Sequence, residues 1–399
     1  MSFPYITEIA QQTPSKIVLL VADGLGGFPN ETGKSELETA KTPNLDRLAA
    51  ESALGLTIPA FPGVAVGSGV GHLALFGYDP LKHLIKRGVM EALGSGIELE
   101  KGEVAARGNF CTVDAAGIVT DRRAGRIPTE EAMPLVERLN AAQLEGAKVK
   151  VYPVKDHRFV AIFSGEGLLD EVSDSDPQRE GKPPLEVRAL APGAEKMARV
   201  ANQFSKQMRE ILAKEKRANM GLVRGFSMMP KVPSMAEQFL LNPACISAYP
   251  MYRGLSRIVG MKILNGGNSF KDELAALKRH WAEHDFFFVH YKYTDSAGED
   301  GDFARKVKMI EEFDAYLPEV LGMKPDALVI TGDHSTPAVL KAHSWHPVPI
   351  LIHGKYSGKD GLPKFTERNC VRGSLGQIPG SAALVLAMAN ALKLNKFGA

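Results

Sequence analysis

The chain has 399 residues, more than one ordinary hydrophobic core accommodates, so we expect two domains. Hydrophobic residues make up 44% and charged residues 24% of the sequence, a composition typical of a soluble globular protein. The formal net charge is only +2, which argues against a nucleic-acid-binding surface or a polybasic membrane anchor.

A buried strand is predicted near the start of the chain. Lys16–Ala22 is a continuous apolar and β-branched run, the pattern of a strand covered on both faces. It ends in the turn Asp23–Gly26. A helix is predicted to follow, with Thr42 as its N-cap and Pro43 at its first position.

Three further buried strands are predicted late in the chain, at Phe286–His290, Ala327–Thr331 and Pro349–Ile352. A helical pattern over Phe303–Leu317 separates the first two. Strands that alternate with helices predict a parallel, doubly wound α/β sheet.

The middle of the chain predicts a second domain inserted into the first. Alternating segments such as Val104–Val113 are punctuated by Gly and Pro, and Ala194–Lys216 predicts a long amphipathic helix. We therefore assign residues 80–218 to a smaller inserted α/β domain. Residues 1–79 and 219–399 form the remaining, discontinuous domain.

The cellular compartment is predicted from what the sequence lacks. The three cysteines form no paired or clustered motif, which favours buried reduced thiols over disulfides: Cys111, Cys245 and Cys370. The first residues, Met1–Gln12, lack the pattern of a signal peptide, and no run approaches the roughly 18 apolar residues of a membrane helix. We expect a cytoplasmic protein without membrane or nucleic-acid partners.

Potential metal ligands follow the predicted strands at the points where the strands end. Asp23 ends the first, Asp295 follows the second, and Asp333 and His334 follow the third. In a parallel sheet these points lie side by side along one edge, where open α/β folds bind ligands. Gathering carboxylates there is costly without cations, and carboxylate with imidazole suits Mg²⁺, Mn²⁺ or Zn²⁺.

Glu299 and His343 lie close in sequence to these residues and enlarge the set to one that could hold two metals. Such pairs clamp the attacking and leaving oxygens of a phosphoryl group. Taken singly, each residue is more often a turn residue, a helix cap or a surface carboxylate. The set favours metal binding because several unrelated turns place ligand types at the same edge.

Ser68 lies in the glycine-rich segment Gly67–His72, ahead of the apolar pattern Leu73–Phe76. One interpretation is a nucleophile whose pKa is lowered by a neighbouring metal, with backbone N–H groups holding a phosphate. The other is a helix cap, which the local sequence alone favours.

Asp121 and seven arginines are the candidate substrate-binding residues, and the arginines would bind an anionic substrate. Three lie in the tight loop that begins at Asp121, and four lie elsewhere in or after the middle region: Arg122, Arg123 and Arg126, then Arg158, Arg224, Arg253 and Arg257. Guanidinium groups bind carboxylate and phosphate through paired hydrogen bonds, so a small doubly anionic substrate fits. Ordinary surface salt bridges are the alternative for each arginine.

Several motifs resemble those of a known family. The segments Ala22–Gly24, Thr42–Ala49 and Gly67–Ser68 resemble the alkaline phosphatase superfamily. Four more segments are similar to the archaeal-type branch of cofactor-independent phosphoglycerate mutase, which bacteria also contain: His72–Pro80, Thr294–Asp302, Thr331–Pro337 and Lys341–Ser344. The resemblance runs from about Lys16 to about Leu386.

The resemblance implies an alkaline-phosphatase-like doubly wound sheet with a smaller inserted substrate-binding domain, and a phosphoserine intermediate on Ser68. One metal would be held by Asp23, Ser68, Asp333 and His334, and the other by Asp295, residue 299 and His343. Two divalent ions are implied, with Mn²⁺ or Mg²⁺ favoured, Zn²⁺ or Co²⁺ as alternatives, and no bisphosphoglycerate. Arg122, Arg123 and Arg126 resemble the substrate loop of the inserted domain.

The implied activity is that of an isomerase that interconverts 3-phosphoglycerate and 2-phosphoglycerate in glycolysis and gluconeogenesis. Two rivals remain. One is a hydrolase or transferase acting on another phosphomonoester or phosphonate, and the other is a non-catalytic metal-binding relative. The oligomeric state is not predicted.

Glu299 departs from the family pattern, in which many members have His at this position. Glutamate replaces a nitrogen ligand by oxygen and adds a negative charge, which favours harder cations such as Mg²⁺ or Mn²⁺ over Zn²⁺. Asp300 and Asp302 are alternative ligands nearby.

Overall fold

The computed structural model describes residues 3–398 and divides the chain into two compact units. One unit comprises the chain up to Leu84 and again from Val232 onward, and the other spans Ile85–Lys231. Both boundaries lie later in the sequence than the predicted 79/80 and 218/219. The second boundary differs more from its predicted position, because strand Met220–Ser227 pairs with Val104–Val113 and so belongs to the inserted unit.

The secondary-structure elements are numbered in chain order. The strands are β1 Ile17–Ala22, β2 Ala53–Ile58, β3 Val104–Val113, β4 Val119–Asp121, β5 Lys148–Pro153, β6 Arg158–Ser164, β7 Met220–Ser227, β8 Pro243–Ile246, β9 Lys262–Leu264, β10 Phe286–Tyr291, β11 Ala327–Thr331, β12 Val348–Gly354 and β13 Gly376–Pro379. The helices are α1 Ile6–Ile9, α2 Glu36–Thr39, α3 Pro43–Ala50, α4 Ser68–Leu75, α5 Arg87–Gly94, α6 Thr129–Leu139, α7 Glu195–Leu212, α8 Met235–Phe239, α9 Pro250–Ile258, α10 Phe270–Arg279, α11 Tyr293–Glu299, α12 Phe303–Gly322, α13 Glu367–Cys370 and α14 Ala382–Asn390.

The large sheet of the discontinuous unit has the strand order β13-β2-β12-β11-β1-β10-β8-β9. Helices alternate with these strands, and all six residues of β1 are buried, so both faces of the sheet are covered. On one face Val18 and Leu20 pack in a core with residues of α3, α10 and α12, such as Leu45, Leu277 and Phe313. The predicted α/β fold is confirmed.

One strand contradicts the expectation of an entirely parallel sheet. The predicted strand Pro349–Ile352 is part of β12, which runs antiparallel to both β11 and β2. Residues 332–347, between β11 and β12, contain no helix to carry the chain back across the sheet. The chain therefore re-enters the sheet at the edge where it left, which keeps His343 beside the ends of the parallel strands.

The inserted unit contains a smaller antiparallel sheet. Its order is β4-β3-β6-β5, with β7 paired to the other side of β3. Helices α6 and α7 pack on one face around a core that includes Phe159 and Phe204. The helix predicted over Ala194–Lys216 is α7, which ends four residues earlier, at Leu212. The unit is thus a small α/β layer of its own.

Two findings concern the compartment predictions. No helix within residues 3–398 is both long and apolar enough to cross a membrane. The three cysteines are buried and free.

We predict that Glu273 makes the stability of the discontinuous unit dependent on pH. Its Oε1 accepts a hydrogen bond from Ala248 N at 2.8 Å, but its buried Oε2 has no partner, and burial raises the pKa of the carboxyl to about 8. Between an ordinary value of 4.5 and about 8, the folded protein holds a proton that the unfolded chain has released. The free energy of unfolding should therefore fall as pH rises through this window.

Glu273→Gln keeps the acceptor for Ala248 N and removes the titration, so its stability relative to the original protein should increase between about pH 5 and about pH 8.5 in urea unfolding. The control is Glu319→Gln on the exposed surface of α12, whose difference in stability from the original protein should be the same at both pH values. An equally pH-independent difference for Glu273→Gln would contradict the assignment.

Candidate active site

The register of the large sheet explains why the predicted ligands meet. Val21 of β1 is paired with His290 of β10 and with Thr331 of β11. The residues that follow these three strands therefore leave the sheet side by side at one edge. Asp23, Asp295 and Asp333 are each at most 1% exposed there.

The two oxygens of Asp23 have different surroundings. Oδ2 accepts hydrogen bonds from His290 Nε2 at 3.0 Å, from Lys292 Nζ at 3.1 Å and from the hydroxyl of Tyr252. Oδ1 is buried without a hydrogen-bond partner. Burial alone would raise the pKa of Asp23, but Lys292 and His290 outweigh it and lower the pKa well below its usual range. Asp23 is therefore an ionised carboxylate with one oxygen free.

A first group of potential ligands surrounds Ser68. His334 Nε2 lies 3.1 Å from Ser68 Oγ, 3.1 Å from Asp333 Oδ2 and 3.5 Å from Asp23 Oδ1. His72 Nδ1 also lies 3.0 Å from Asp333 Oδ2, yet none of these nitrogens meets that oxygen in hydrogen-bond geometry. One atom each of Asp23, Asp333 and His334 lies within 4.8 Å of the others.

A second group is built around His343. Its Nε2 lies 3.5 Å from Asp295 Oδ1 and 3.5 Å from Glu299 Oε1, while its Nδ1 contacts the carbonyl oxygen of Val66 at 2.8 Å. Burial would lower the pKa of His343, but the two carboxylates raise it to about 10. Burial would raise the pKa of Asp295, but His343 and Lys292 bring it to about 2. Without a cation at this place, His343 and Asp295 would therefore form an ion pair.

Thr336 connects the two groups and fixes the tautomer of His334. Its hydroxyl donates to Asp295 Oδ1 at 2.8 Å, so its contact of 2.9 Å with His334 requires Nδ1 of the ring to donate. Nε2 of His334 then carries a lone pair, and burial lowers the pKa of the ring, which keeps it neutral. A neutral imidazole with Nε2 exposed is a metal ligand.

The atoms that converge here fit a divalent cation. The lone pair of His334 Nε2 faces Asp333 Oδ2 and Asp23 Oδ1, two carboxylate oxygens that have no hydrogen-bond donor. Three electron-rich atoms facing one another in a buried place are costly unless a cation lies among them. Oxygen and imidazole nitrogen are the ligand types that Mg²⁺, Mn²⁺ and Zn²⁺ accept.

Gly24 is required for this close packing. Its backbone has φ of +61°, and a Cβ would meet Thr336 Oγ1 at 2.5 Å and Asp295 Oδ1 at 2.9 Å. Its N–H donates to Asp333 Oδ1 at 3.0 Å, which fixes that carboxylate. Only glycine both adopts this conformation readily and leaves room for the neighbouring ligands.

Ser68 is not a helix cap. The N-cap of α4 is Gly67, and Ser68 is the first helical residue, 7% exposed, with its hydroxyl directed to His334. The capping role that the local sequence favours is therefore not the one found. Its hydroxyl is instead placed among the potential metal ligands.

Sequence reasoning missed three side chains at this site. They are Lys292, His290 and Tyr252. Lys292 Nζ contacts Oδ2 of both Asp23 and Asp295, and His290 and Tyr252 donate hydrogen bonds to Oδ2 of Asp23. Lys292 precedes Asp295 by three residues, one helical turn, and this spacing was the available signal. Burial would lower the pKa of Lys292, but the two aspartates raise it, so the group remains an ammonium ion.

The inserted unit has its own concentration of positive charge. Arg107 of β3 is the register partner of Arg224 of β7, and Asn109 is that of Arg158 at the start of β6, so all three arginines lie on one face. Their Nε atoms are buried without partners. The nearest carboxylates, Glu91 and Asp176, lie 3.9 Å from Arg107 and 3.8 Å from Arg224.

Arg107 was not among the predicted residues, although it is the most perturbed of this group. Burial lowers the pKa of Arg107 to about 10. The charge of Glu91 raises this pKa, and the charges of Arg224 and Arg158 lower it further. Like charges on directly paired positions of a sheet are destabilising unless an anion compensates them. The face is therefore a candidate anion site.

The predicted arginine loop is arranged differently. Arg122 forms a two-point contact with Asp176, at 3.2 and 2.7 Å, whereas Arg123 and Arg126 are exposed. Asp121 accepts hydrogen bonds from the loop's own backbone, from Arg123 N at 2.7 Å and Gly125 N at 2.5 Å. Within the described chain, Asp121 therefore shapes the loop.

Arg253 and Arg257 lie on α9 of the discontinuous unit, one turn apart, and are half-buried. The same helix provides Tyr252, whose hydroxyl reaches Asp23. Arg253 Nε is buried without a hydrogen-bond partner. This helix thus places a guanidinium group next to a residue that contacts the metal-ligand carboxylate.

Comparisons with known proteins show the family of this chain. A family model described as 2,3-bisphosphoglycerate-independent phosphoglycerate mutase matches residues 49–218. A probable mutase of this description from Thermus thermophilus is 52% identical over 403 residues, covering 100% of this chain and 99% of the relative. The chain belongs to the 2,3-bisphosphoglycerate-independent phosphoglycerate mutase family. The resemblance inferred from the motifs is confirmed, and the protein is an enzyme of the isomerase kind.

Other members of the family extend the comparison. A relative from Aquifex aeolicus, named likewise as a probable mutase, is 50% identical over 404 residues and covers 99% of each chain. The solved structure of a cofactor-independent phosphoglycerate mutase from Thermoplasma acidophilum covers 94% of this chain and 100% of its own, with 28% identity and a TM-score of 0.71. A solved Pyrococcus horikoshii structure covers 97% and 100%, with 30% identity and a TM-score of 0.84.

We predict that Glu299 sets the metal preference of the second group. The Glu299 side chain is 55% exposed and its Oε1 lies 3.5 Å from His343 Nε2. A softer ligand such as histidine can therefore replace it without disturbing the core. Glu299→His should shift preference from Mn²⁺ toward Zn²⁺ or Co²⁺, measured by competitive binding of the metals to stripped protein.

Asp300→His is the matched control, since Asp300 is an exposed neighbour that pairs with Arg305. A shift with Asp300→His and none with Glu299→His would identify Asp300 as the ligand instead.

Proposed function

We propose that this chain interconverts 3-phosphoglycerate and 2-phosphoglycerate through a phosphoserine intermediate on Ser68. The observation that carries the proposal is the position of Ser68 Oγ, which has no capping role and lies 3.1 Å from His334. His334 is a potential metal ligand that is grouped with Asp23 and Asp333 and also with Asp295 and His343. Relatives about half identical over the whole chain carry the name of this activity.

The proposed reaction has two matching half-reactions. In the first, Ser68 Oγ forms a bond to phosphorus, the bond from phosphorus to O3 of the substrate breaks, and the proton lost by Ser68 is balanced by one gained at O3. In the second, O2 of the retained glycerate attacks phosphoserine, and the proton it releases is balanced by the one returned to Ser68. The phosphoryl group remains on the enzyme throughout, so bisphosphoglycerate is not required.

Two divalent cations would be held by the two ligand groups. We assign Asp23, Ser68, Asp333 and His334 to one, and Asp295, Glu299 and His343 to the other, with Mn²⁺ or Mg²⁺ preferred over Zn²⁺ or Co²⁺. Bound there, they would supply Lewis-acid activation and neutralise charge on the transferred group. Hydrogen bonds hold the ligand side chains in position: the Gly24 N–H orients Asp333, the Thr336 hydroxyl orients His334, and the Val66 carbonyl oxygen orients His343.

The charge of the substrate suits the guanidinium groups whose Nε atoms have no hydrogen-bond partner. Phosphoglycerate carries a phosphate and a carboxylate, and the unpaired Nε atoms of Arg107, Arg158, Arg224 and Arg253 are donors for such groups. We propose that the inserted unit binds the substrate through its arginine face, with Arg122, Arg123 and Arg126 as further candidates. A role in glycolysis and gluconeogenesis in the cytoplasm follows from this activity.

The deciding experiment is phosphorus NMR of the purified protein with Mn²⁺ and 3-phosphoglycerate, without bisphosphoglycerate. We expect conversion to 2-phosphoglycerate that EDTA abolishes and that Ser68→Ala lowers by at least about a thousandfold, because the variant lacks the hydroxyl that would take the phosphoryl group. Release of free phosphate would instead identify a hydrolase, and metal binding without any turnover would identify a non-catalytic relative. Undiminished activity in Ser68→Ala would exclude the phosphoserine intermediate.

We also predict that Arg107 contributes to substrate binding. Arg107→Met preserves length and removes the charge, so KM for 3-phosphoglycerate should rise by roughly ten- to a hundredfold, the loss of one or two charge-assisted hydrogen bonds. Arg199→Met, on the exposed side of α7, is the control and should leave KM unchanged. An unchanged KM in folded Arg107→Met would remove this arginine from the substrate site.

A further inference from the structure

Lys306 is a fully buried cation close to the candidate metal centre. It lies near the start of α12 with 0% exposure, and its Nζ donates to the carbonyl oxygens of Gly26 at 2.9 Å and Thr336 at 2.8 Å. Burying an ammonium ion is costly unless hydrogen bonds and opposite charges compensate it. Both of these hydrogen bonds are made to loops that carry potential metal ligands.

The two carbonyl groups belong to different ligand loops. Gly26 is in the turn after β1, three residues from Asp23, and Thr336 is in the segment after β11, two residues from His334. Gly26 O also accepts from Thr336 N at 3.0 Å, so Lys306 binds where the two loops already meet. The ammonium group therefore ties these loops together.

A third ligand-bearing segment packs against the same point. A Cβ on Gly298, in the helix α11 that carries Asp295, would lie 2.2 Å from Thr336 O. The close approach of Gly298 is thus made to the same carbonyl oxygen that Lys306 holds. A displacement of Thr336 O would shift the Thr336 hydroxyl, which contacts both Asp295 and His334.

Two glutamates, the buried Glu36 and the half-buried Glu367, accept hydrogen bonds from N–H groups of the same loops. Glu36 Oε1 accepts from Ala338 N at 2.7 Å, just after Thr336. Glu367 Oε1 accepts from Gly27 N at 2.9 Å, next to Gly26. The charges of both act on Lys306, opposing the cost of its burial. Each loop is thus held at a carbonyl oxygen by Lys306 and at a nearby N–H by one of the two glutamates.

We propose that Lys306 is a positioning residue that holds the loops after β1 and β11 in the geometry required for divalent metal binding. The inference rests on the metal sites of the proposed function. A residue that only stabilised the fold could make its hydrogen bonds anywhere in the core, whereas Lys306 makes these two to the backbone of ligand-bearing loops. Partners that orient metal ligands commonly change metal affinity by roughly 10–100-fold when they are removed.

The test is Lys306→Met, which keeps the side-chain length and removes the ammonium group, with Lys308→Met on the exposed side of the same helix as control. Mn²⁺ binding to EDTA-stripped protein is measured by calorimetry without substrate. We expect the dissociation constant of Lys306→Met to rise by about tenfold or more and that of Lys308→Met to change by less than about twofold. At saturating Mn²⁺, the kcat of Lys306→Met for phosphoglycerate should be closer to that of the original protein than its affinity for Mn²⁺ is.

A folded Lys306→Met protein, with unchanged circular dichroism, that binds Mn²⁺ as tightly as the original would overturn the proposal. A purely structural role would lower the melting temperature of stripped and loaded forms alike and leave the dissociation constant unaltered. If Lys306→Met does not fold, Lys306→Gln retains one donor and should give an intermediate loss of affinity; unchanged affinity there would equally refute the role.

Because binding is read without substrate, the outcome is independent of the reaction assigned above. An original protein that binds Mn²⁺ but turns over no phosphoglycerate would refute the proposed function while still deciding the role of Lys306. An original protein that binds no divalent ion would overturn both.

Discussion

Three buried carboxylates at one edge of the sheet are the constraint on which the site depends. Asp23 and Asp295 can be ligands only if they stay ionised, and burial acts against their ionisation. In both of these aspartates the two carboxylate oxygens have different partners. Lys292 takes Oδ2 of Asp23 and of Asp295, which leaves Oδ1 of each facing a histidine of one ligand group. Fixed positive charge on one side thus keeps the other side available.

The sequence could locate the candidate ligands because a buried strand and the residue after it form a local pattern. Asp23 and Asp333 follow continuous apolar runs, and parallel pairing in register then brings them together. Partners that come from elsewhere in the chain have no such signal. Tyr252 reaches Asp23 from α9, and only the folded chain reveals this contact. The strand β12 was predicted but its antiparallel direction was not, because strand direction depends on the connection, which an apolar run does not encode.

The arginines illustrate the same limit in the inserted unit. Adjacent arginines in the loop after Asp121 drew attention because they are neighbours in sequence, yet Arg122 is satisfied by Asp176. Arg107 lies within a β-strand, and its significance arises from the register that sets it opposite Arg224. The cost of placing two arginines together depends on neighbours across the sheet, so strand pairing rather than sequence proximity locates this candidate anion site.

The two ligand groups also differ in access, and this difference bears on how a phosphoryl group would approach. The side chains of Asp333 and His334 beside Ser68 have 0% exposure, whereas those of His343 and Glu299 have 23% and 55%. Within the discontinuous unit, solvent therefore reaches the second group more readily than the first. In the proposed reaction, the phosphoryl group would be transferred to Ser68 beside these buried side chains. Burial suits such a transfer, because charge interactions strengthen where water is excluded. Exposure gives the Glu299 side chain room to adjust to a metal, whereas the side chains beside Ser68 are confined by their burial.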